Sequence, residues 1–216
     1  MSRTLALALI LVGIVGLDGF LLVKRNRYRE ETARLRADMT GIERARSDAI
    51  VAAEADRSTL ILELMRRQSQ GDEALHLAVN TDSGYVALDR GPVRLRTMPA
   101  RFGPERRVGV PPDTLMVTVP RGLRVVERRL AVADSTELPV WLWTDRGQTV
   151  PVDRRGPGWL GANAIVVSGG AVLYALPDAG PLADSSYVMP GAVRLSAADL
   201  AAIRDNVTPG MRVYYF

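Results

Sequence analysis

The chain has 216 residues, a formal net charge of +4 and no cysteine, which excludes disulfides, thiolate catalysis and cysteine-based zinc or haem attachment. The basic excess is early: residues 1–71 carry twelve basic against nine acidic side chains, and residues 72–216 carry sixteen against fifteen. A near-neutral body is a poor nucleic-acid surface, so no nucleic-acid partner is expected, and the single histidine, His76, cannot build a histidine metal cluster by itself.

Residues 5–23 read LALALILVGIVGLDGFLLV. About 20 mostly apolar residues suffice to cross a bilayer as a helix, because a helix satisfies its own backbone hydrogen bonds. The run ends in Phe20, Leu21, Leu22 and Val23 instead of the small residues of a cleavage site, so residues 1–25 are expected to be an uncleaved transmembrane anchor with its short tail. Asp18 is the one charge inside the run and is expected near the headgroups or against a neighbouring membrane protein. Lys24, Arg25, Arg27 and Arg29 follow at once, a basic flank suited to anionic headgroups. The excess of basic residues on cytoplasmic flanks predicts a single-pass protein of the bacterial inner membrane with its body in the cytoplasm; periplasmic placement is the close alternative.

Residues 26–71 read as a helical connector. Leu35, Met39, Ile42, Ala45, Ala49 and Ala53 recur at spacings of three and four, one amphipathic stripe along a helix. Arg46 and Asp56 fall on the seam a coiled coil would bury, so the stripe, led by Leu35, Met39 and Ile42, is expected against the globular part or a partner.

From residue 72 to 216 the apolar period shortens to two. Strands are predicted at 74–79, 85–88, 93–98, 114–119, 123–131, 139–144, 164–168, 171–176 and 211–215, with loops at 101–113 and 153–161 and one helix at 197–206 capped by Ser196. The expected fold class is a single N-terminal transmembrane helix, a long amphipathic connector and a mostly antiparallel β domain with one late helix. His76 lies in the alternating run Leu75, Leu77, Val79 and reads as outward-facing; Trp141 and Trp143, two apart on a predicted strand, read as sharing a core face.

Toward the carboxyl end, Met189, Pro190, Gly191, Ala192, Val193, Arg194 and Leu195 resemble the catalytic motif of the L,D-transpeptidases, the β-rich enzymes that crosslink bacterial peptidoglycan. That motif runs Ser or Thr, any residue, Gly, Cys, Ile or Val, Arg, Leu or Met, before a short acidic helix and a last strand. Residues 165–169, Ile-Val-Val-Ser-Gly, are similar to the strand carrying the family's Ile-His-Gly signature, with Ser168 in the histidine's place. The similarity extends over about residues 74–215 and is specific only near Gly191 to Leu195. It implies the family's fold and, at the degenerate former-site positions Ser168, Gly191, Ala192 and Arg194, the loss of its chemistry. The family's thiolate attacks a peptide carbonyl with histidine controlling its protonation; Ala192 has no nucleophilic atom, and Ser168 cannot act as a base near neutral pH.

No other catalytic arrangement stands out. Ser168 sits in Val-Ser-Gly-Gly, not in a nucleophile elbow. Asp145, Asp153, Asp178 and Asp184 fall in loop-like stretches and read as solvated turn residues. The sequence therefore points to a nonenzymatic, membrane-anchored accessory or scaffolding subunit of a larger complex, respiratory or photosynthetic, partnered by integral membrane proteins. No intrinsic cofactor is expected, though lipid or pigment contacts at the anchor are compatible with it. The alternatives are a peptidoglycan-binding pseudoenzyme of the cell envelope and an active hydrolase or transpeptidase with an unrecognised site.

Overall fold

The computed structural model describes Lys24, Arg25, Arg27, Tyr28, Glu30 and residues 41–216. The chain divides into two units, Met1–Ser58 and Thr59–Phe216. Among the described residues no helix is long and apolar enough to cross a membrane. This corrects the expected membrane-anchored architecture, the single-pass inner-membrane placement and the accessory-subunit reading built on them. The run 5–23, with Asp18, lies outside the described residues, as do Arg29, Leu35 and Met39.

Helix α1 spans Gly41–Gly71 and interleaves charge throughout. The backbone of Ile42 belongs to it, and its side chain is not among those described. Lys24, Arg25 and Arg27 are helical and exposed. Of the expected stripe, Ala45, Ala49 and Ala53 are exposed, and so are Leu60, Ile61 and Leu64 further along the helix. Within the second unit the face that packs carries Leu62 and Met65, followed one turn later by buried Ser69. Large side chains steer helix packing because burial scales with apolar area, and alanine methyls supply little of it.

The strands that follow are β1 (Leu75–Asn80), β2 (Tyr85–Arg90), β3 (Val93–Pro99), β4 (Arg101–Phe102), β5 (Arg106–Val110), β6 (Asp113–Val117) and β7 (Gly122–Leu130). After β8 (Ser135–Glu137) comes a short helix, α2 (Val140–Asp145), then β9 (Arg155–Pro157), β10 (Ala164–Val167), β11 (Val172–Ala175), β12 (Val193–Leu195), helix α3 (Ala197–Ile203) and β13 (Arg212–Tyr215). Nine strands join one sheet in the order β3-β2-β1-β13-β7-β10-β11-β12-β4. The sheet is mixed: most neighbouring strands run antiparallel, as expected, while β1 with β13 and β11 with β12 run parallel. Parallel neighbours are brought together by long crossovers, and local alternation carries no record of them.

Side chains alternate between two apolar layers. Leu77 and Val79 of β1, Val213 and Tyr215 of β13, and Ile165 and Val167 of β10 point into the main core. Their neighbours Ala78, Ala87, Tyr214 and Phe216 point the other way, onto Leu62 and Met65 of α1. His76 belongs to this second layer and is fully buried, contrary to the outward placement its alternation suggests. Both faces of β1 are covered, one by the core and one by the end of a helix, so alternation does not distinguish inside from outside.

The helix end is fastened by polar groups. His76 Nδ1 lies 2.9 Å from the Ala74 carbonyl; a carbonyl only accepts, so this nitrogen carries a proton. Nε2 pairs with the Ser69 hydroxyl at 2.8 Å. Buried Asp72 accepts from the Tyr214 hydroxyl at 3.0 Å and the Ala74 amide at 3.1 Å, and it pairs with Arg212 at 2.9 Å. Replacing Asp72 with alanine removes an acceptor from all three donors. The expected cost is roughly 2–4 kcal/mol in urea-induced unfolding, with the slope of the transition unchanged.

Helix α3 starts as its sequence predicts: the Ser196 hydroxyl accepts from the Asp199 amide at 3.0 Å and donates to the Asp199 carboxylate at 2.7 Å. Burial pushes the Asp199 pKa up, but hydrogen bonds from Ser196 and Arg96 outweigh it and hold the group below the ordinary carboxylate value. A depressed carboxylate stabilises the fold above its unfolded pKa, and that contribution is lost as pH falls through the folded value. The stability difference between the wild type and Asp199→Asn is therefore expected to hold from pH 7 to about 5 and to close below about pH 4, followed by denaturant midpoints across that range.

Candidate functional site

A cavity of about 210 Å³ opens on the face of β10 and β11 turned away from the main core. One wall is the turn from β10 to β11, containing Gly169 and Gly170. A second is the segment entering β12, Met189 to Ala192, and a third contains Thr136 and Glu137 of β8 and Trp141 of α2. Val117 and Thr118, at the end of β6, complete it.

Close backbone approach builds this groove. Gly191 has φ +71°, and a Cβ there would stand 2.6 Å from Val117 Cγ1 and 2.9 Å from the Thr118 carbonyl oxygen. A Cβ on Gly103 would fall 1.8 Å from the Met189 carbonyl oxygen, while the Gly103 amide donates to the Ala192 carbonyl at 2.8 Å. Both positions need glycine for space, and Gly191 also for its left-handed backbone.

The segment before β12 is held by buried side chains. Arg194 donates to the carbonyls of Tyr187 and Ser185 at 2.9 and 2.8 Å, and the Tyr174 hydroxyl accepts from the Met189 amide at 3.2 Å. Tyr187 donates to Asp145 at 2.7 Å, and Asp145 also pairs with Arg106; burial first, then the Asp145 bond, pushes the Tyr187 pKa up. Arg146 lies over the Tyr187 ring at 4.8 Å and reaches Asp184 at 3.4 Å. Asp145 and Asp184 thus brace a loop, and Asp153 accepts from the Arg155 amide within its own turn.

Of the degenerate positions read from the sequence, Gly191 and Ala192 line the groove. Ala192 is 2% exposed and offers only a methyl group. Ser168 stands one residue before the wall; its amide donates to the Val125 carbonyl at 2.8 Å and its hydroxyl accepts from the Val125 amide at 3.1 Å. That side chain extends the pairing of β7 with β10 where the register shifts. Arg194 lies behind the wall, buried, and His76 is committed to Ser69. Among the described residues no group of three or more His, Asp or Glu side chains is placed to hold a metal ion.

Sequence reasoning missed Trp141. Residues 139–144 form helix α2, not a strand, and Trp141 lines the groove while Trp143 packs edge-on against Trp159 at 5.7 Å. A short apolar run fits either period. The usable signal was Pro139 at the cap and the four-residue spacing of Leu138 and Leu142, both buried. The loops expected at 101–113 and 153–161 likewise hold β4, β5 and β9.

No protein-family model matches the sequence, and no curated protein sequence matches it. Among solved structures the chain is similar to an L,D-transpeptidase (residues 123–326) from Xylanimonas cellulosilytica, at 17% identity and a TM-score of 0.46, covering 67% of this chain and 61% of that one. It is also similar to L,D-transpeptidase 1 of Mycobacterium tuberculosis, at 20% identity and a TM-score of 0.42, over 66% of this chain and 61% of that one. For an L,D-transpeptidase from Mycobacterium smegmatis the values are 18%, 0.44, 66% and 58%. The chain thus spans about six-tenths of each of these chains. At such identities and scores the likeness assigns neither an activity nor a ligand.

Gly191→Ala is expected to lower stability by about 2–4 kcal/mol, combining left-handed strain with a backbone clash. In a domain of this size that corresponds to a fall in Tm of roughly 5–15 °C by calorimetry.

Proposed function

We propose that the chain is a noncatalytic module of the cell envelope that holds peptidoglycan peptide in this groove without turning it over. In this reading Ala192 stands for the family's cysteine and Ser168 for its histidine, while Gly191 and Arg194 keep the wall in shape. The observation that carries it is the methyl of Ala192, buried in the wall of a groove that remains formed around it. The lack of any cysteine supports an inactive fold.

The groove suits an extended peptide. Trp141 and Leu160 offer apolar surface, and Thr118 and Thr136 offer hydroxyls, the mixture of apolar area and few polar groups that orients a ligand. Glu137 is already engaged by Arg154 at 2.7 Å and Arg155 at 3.1 Å, so it does not repel an acidic peptide as a free carboxylate would.

Incubating the full chain with insoluble peptidoglycan and with a soluble disaccharide tetrapeptide tests this. Saturable binding is expected, with no covalent adduct by mass spectrometry and no new crosslinks. Trp141→Ala is expected to weaken binding about 10-fold or more, the effect of removing one aromatic wall. Absence of binding overturns the proposal, and steady turnover of the tetrapeptide replaces it with a catalytic one.

A further inference from the structure

A strand edge is turned into the groove. Thr136, Glu137, Leu138 and Pro139 all line it, and Pro139 continues the extended backbone of β8, with φ −66° and ψ 150°. Successive side chains of an extended chain point to opposite faces, so four residues in a row line one wall only when the chain presents its backbone edge. Among the described residues β8 has one neighbouring strand, β9, and the edge turned to the groove is the one that β9 does not cover.

The ladder fixes which groups that edge offers. The Leu138 amide donates to the Arg154 carbonyl at 3.0 Å, while Thr136 stands opposite Gly156 and Glu137 opposite Arg155. In an antiparallel pair, residues that exchange hydrogen bonds alternate with residues that do not. Leu138 and Thr136 therefore face β9, and Glu137 between them turns its amide and carbonyl away from β9, into the groove. Its carboxylate is drawn back to Arg154 at 2.7 Å and Arg155 at 3.1 Å, so the side chain leaves the edge open. The other walls carry Gly169, Gly170, Gly191 and Ala192, with nothing larger than a methyl group, which gives a second backbone room to approach. An uncovered strand edge is matched by another extended main chain, which supplies a carbonyl and an amide in the same spacing.

We propose that a peptide in this groove is held as an added strand on β8, its main chain paired with the amide and carbonyl of Glu137. This rests on the peptide-binding reading above and adds to it the mode of recognition. Main-chain pairing supplies the affinity, and the surfaces of Trp141 and Leu160 meet side chains of the ligand.

The test is calorimetric titration of the full chain with the disaccharide tetrapeptide and with variants of it, each methylated at one peptide nitrogen. Methylating the nitrogen that donates to Glu137 removes a donor and blocks the edge; it is expected to weaken binding about 10-fold or more, and every other methylation less than about 3-fold. Glu137→Pro removes the amide donor and leaves the bonds to β9 in place, because proline is tolerated where a strand's amide faces outward. It is expected to weaken the parent ligand about 10-fold or more, and the sensitive methylation then costs less than about 3-fold further, the signature of two changes to one contact. Glu137→Ala keeps the amide and loses only the carboxylate, and is expected to bind within about 3-fold of the wild type. Equal tolerance of every methylation, or Glu137→Pro binding as tightly as Glu137→Ala, overturns the added strand and leaves the groove reading intact. Failure of the wild type to bind the parent ligand overturns both. If Glu137→Pro does not fold, the methylation series on the wild type decides alone.

Discussion

Everything in the groove depends on two backbone contacts that only glycine permits. Gly103 lies against the Met189 carbonyl, and Gly191 lies against Val117 and Thr118. Together they press the segment entering β12 onto the strands before it, so that Ala192 becomes part of a wall instead of a free loop. Arg194, Tyr174 and Tyr187 then fix the segment from behind. These ties are buried and internal, so the groove owes its shape to the protein's own packing and is formed before any ligand arrives. Preformed walls lower the ordering cost of binding.

The elements that were legible in the sequence are those whose pattern is local. The hairpin of β1 and β2, the strands near 93–98, 164–168 and 171–176, and the Ser196 cap all follow from alternation, turn residues or a capping serine. What was hidden is non-local. Neither parallel pairing, nor the burial of His76 under a helix end, nor the role of Gly103 leaves a trace within a window of a few residues. Residues 139–144 failed for a different reason: Val140, Trp141, Leu142 and Trp143 form an apolar run too short to show a period, and Pro139 stands at the cap of the helix they form.

The site was legible in part. Gly191 and Ala192 line the groove, and Ala192 presents a methyl group there. Trp141 was not visible as a neighbour of that stretch, since it comes from an element the sequence reads as a strand. The membrane reading took its weight from residues 5–23, while the described helix α1 carries charged residues along much of its length and, within the second unit, packs Leu62 and Met65 against the sheet. Its placement of function at an anchor gives way to the groove.

One edge of the sheet is β3, whose outer backbone has no neighbouring strand among the described residues. Val93 and Leu95 are exposed along it, a template on which another extended chain would pair. Arg94 and Arg96 alternate with them, tethered by Asp89 and Asp199 so that their guanidinium groups stay beside the strand. A second copy approaching edge to edge in register would bring like charges together. Charged side chains along an exposed edge are a pattern that disfavours strand addition, and ion pairs as exposed as these contribute little to folding energy.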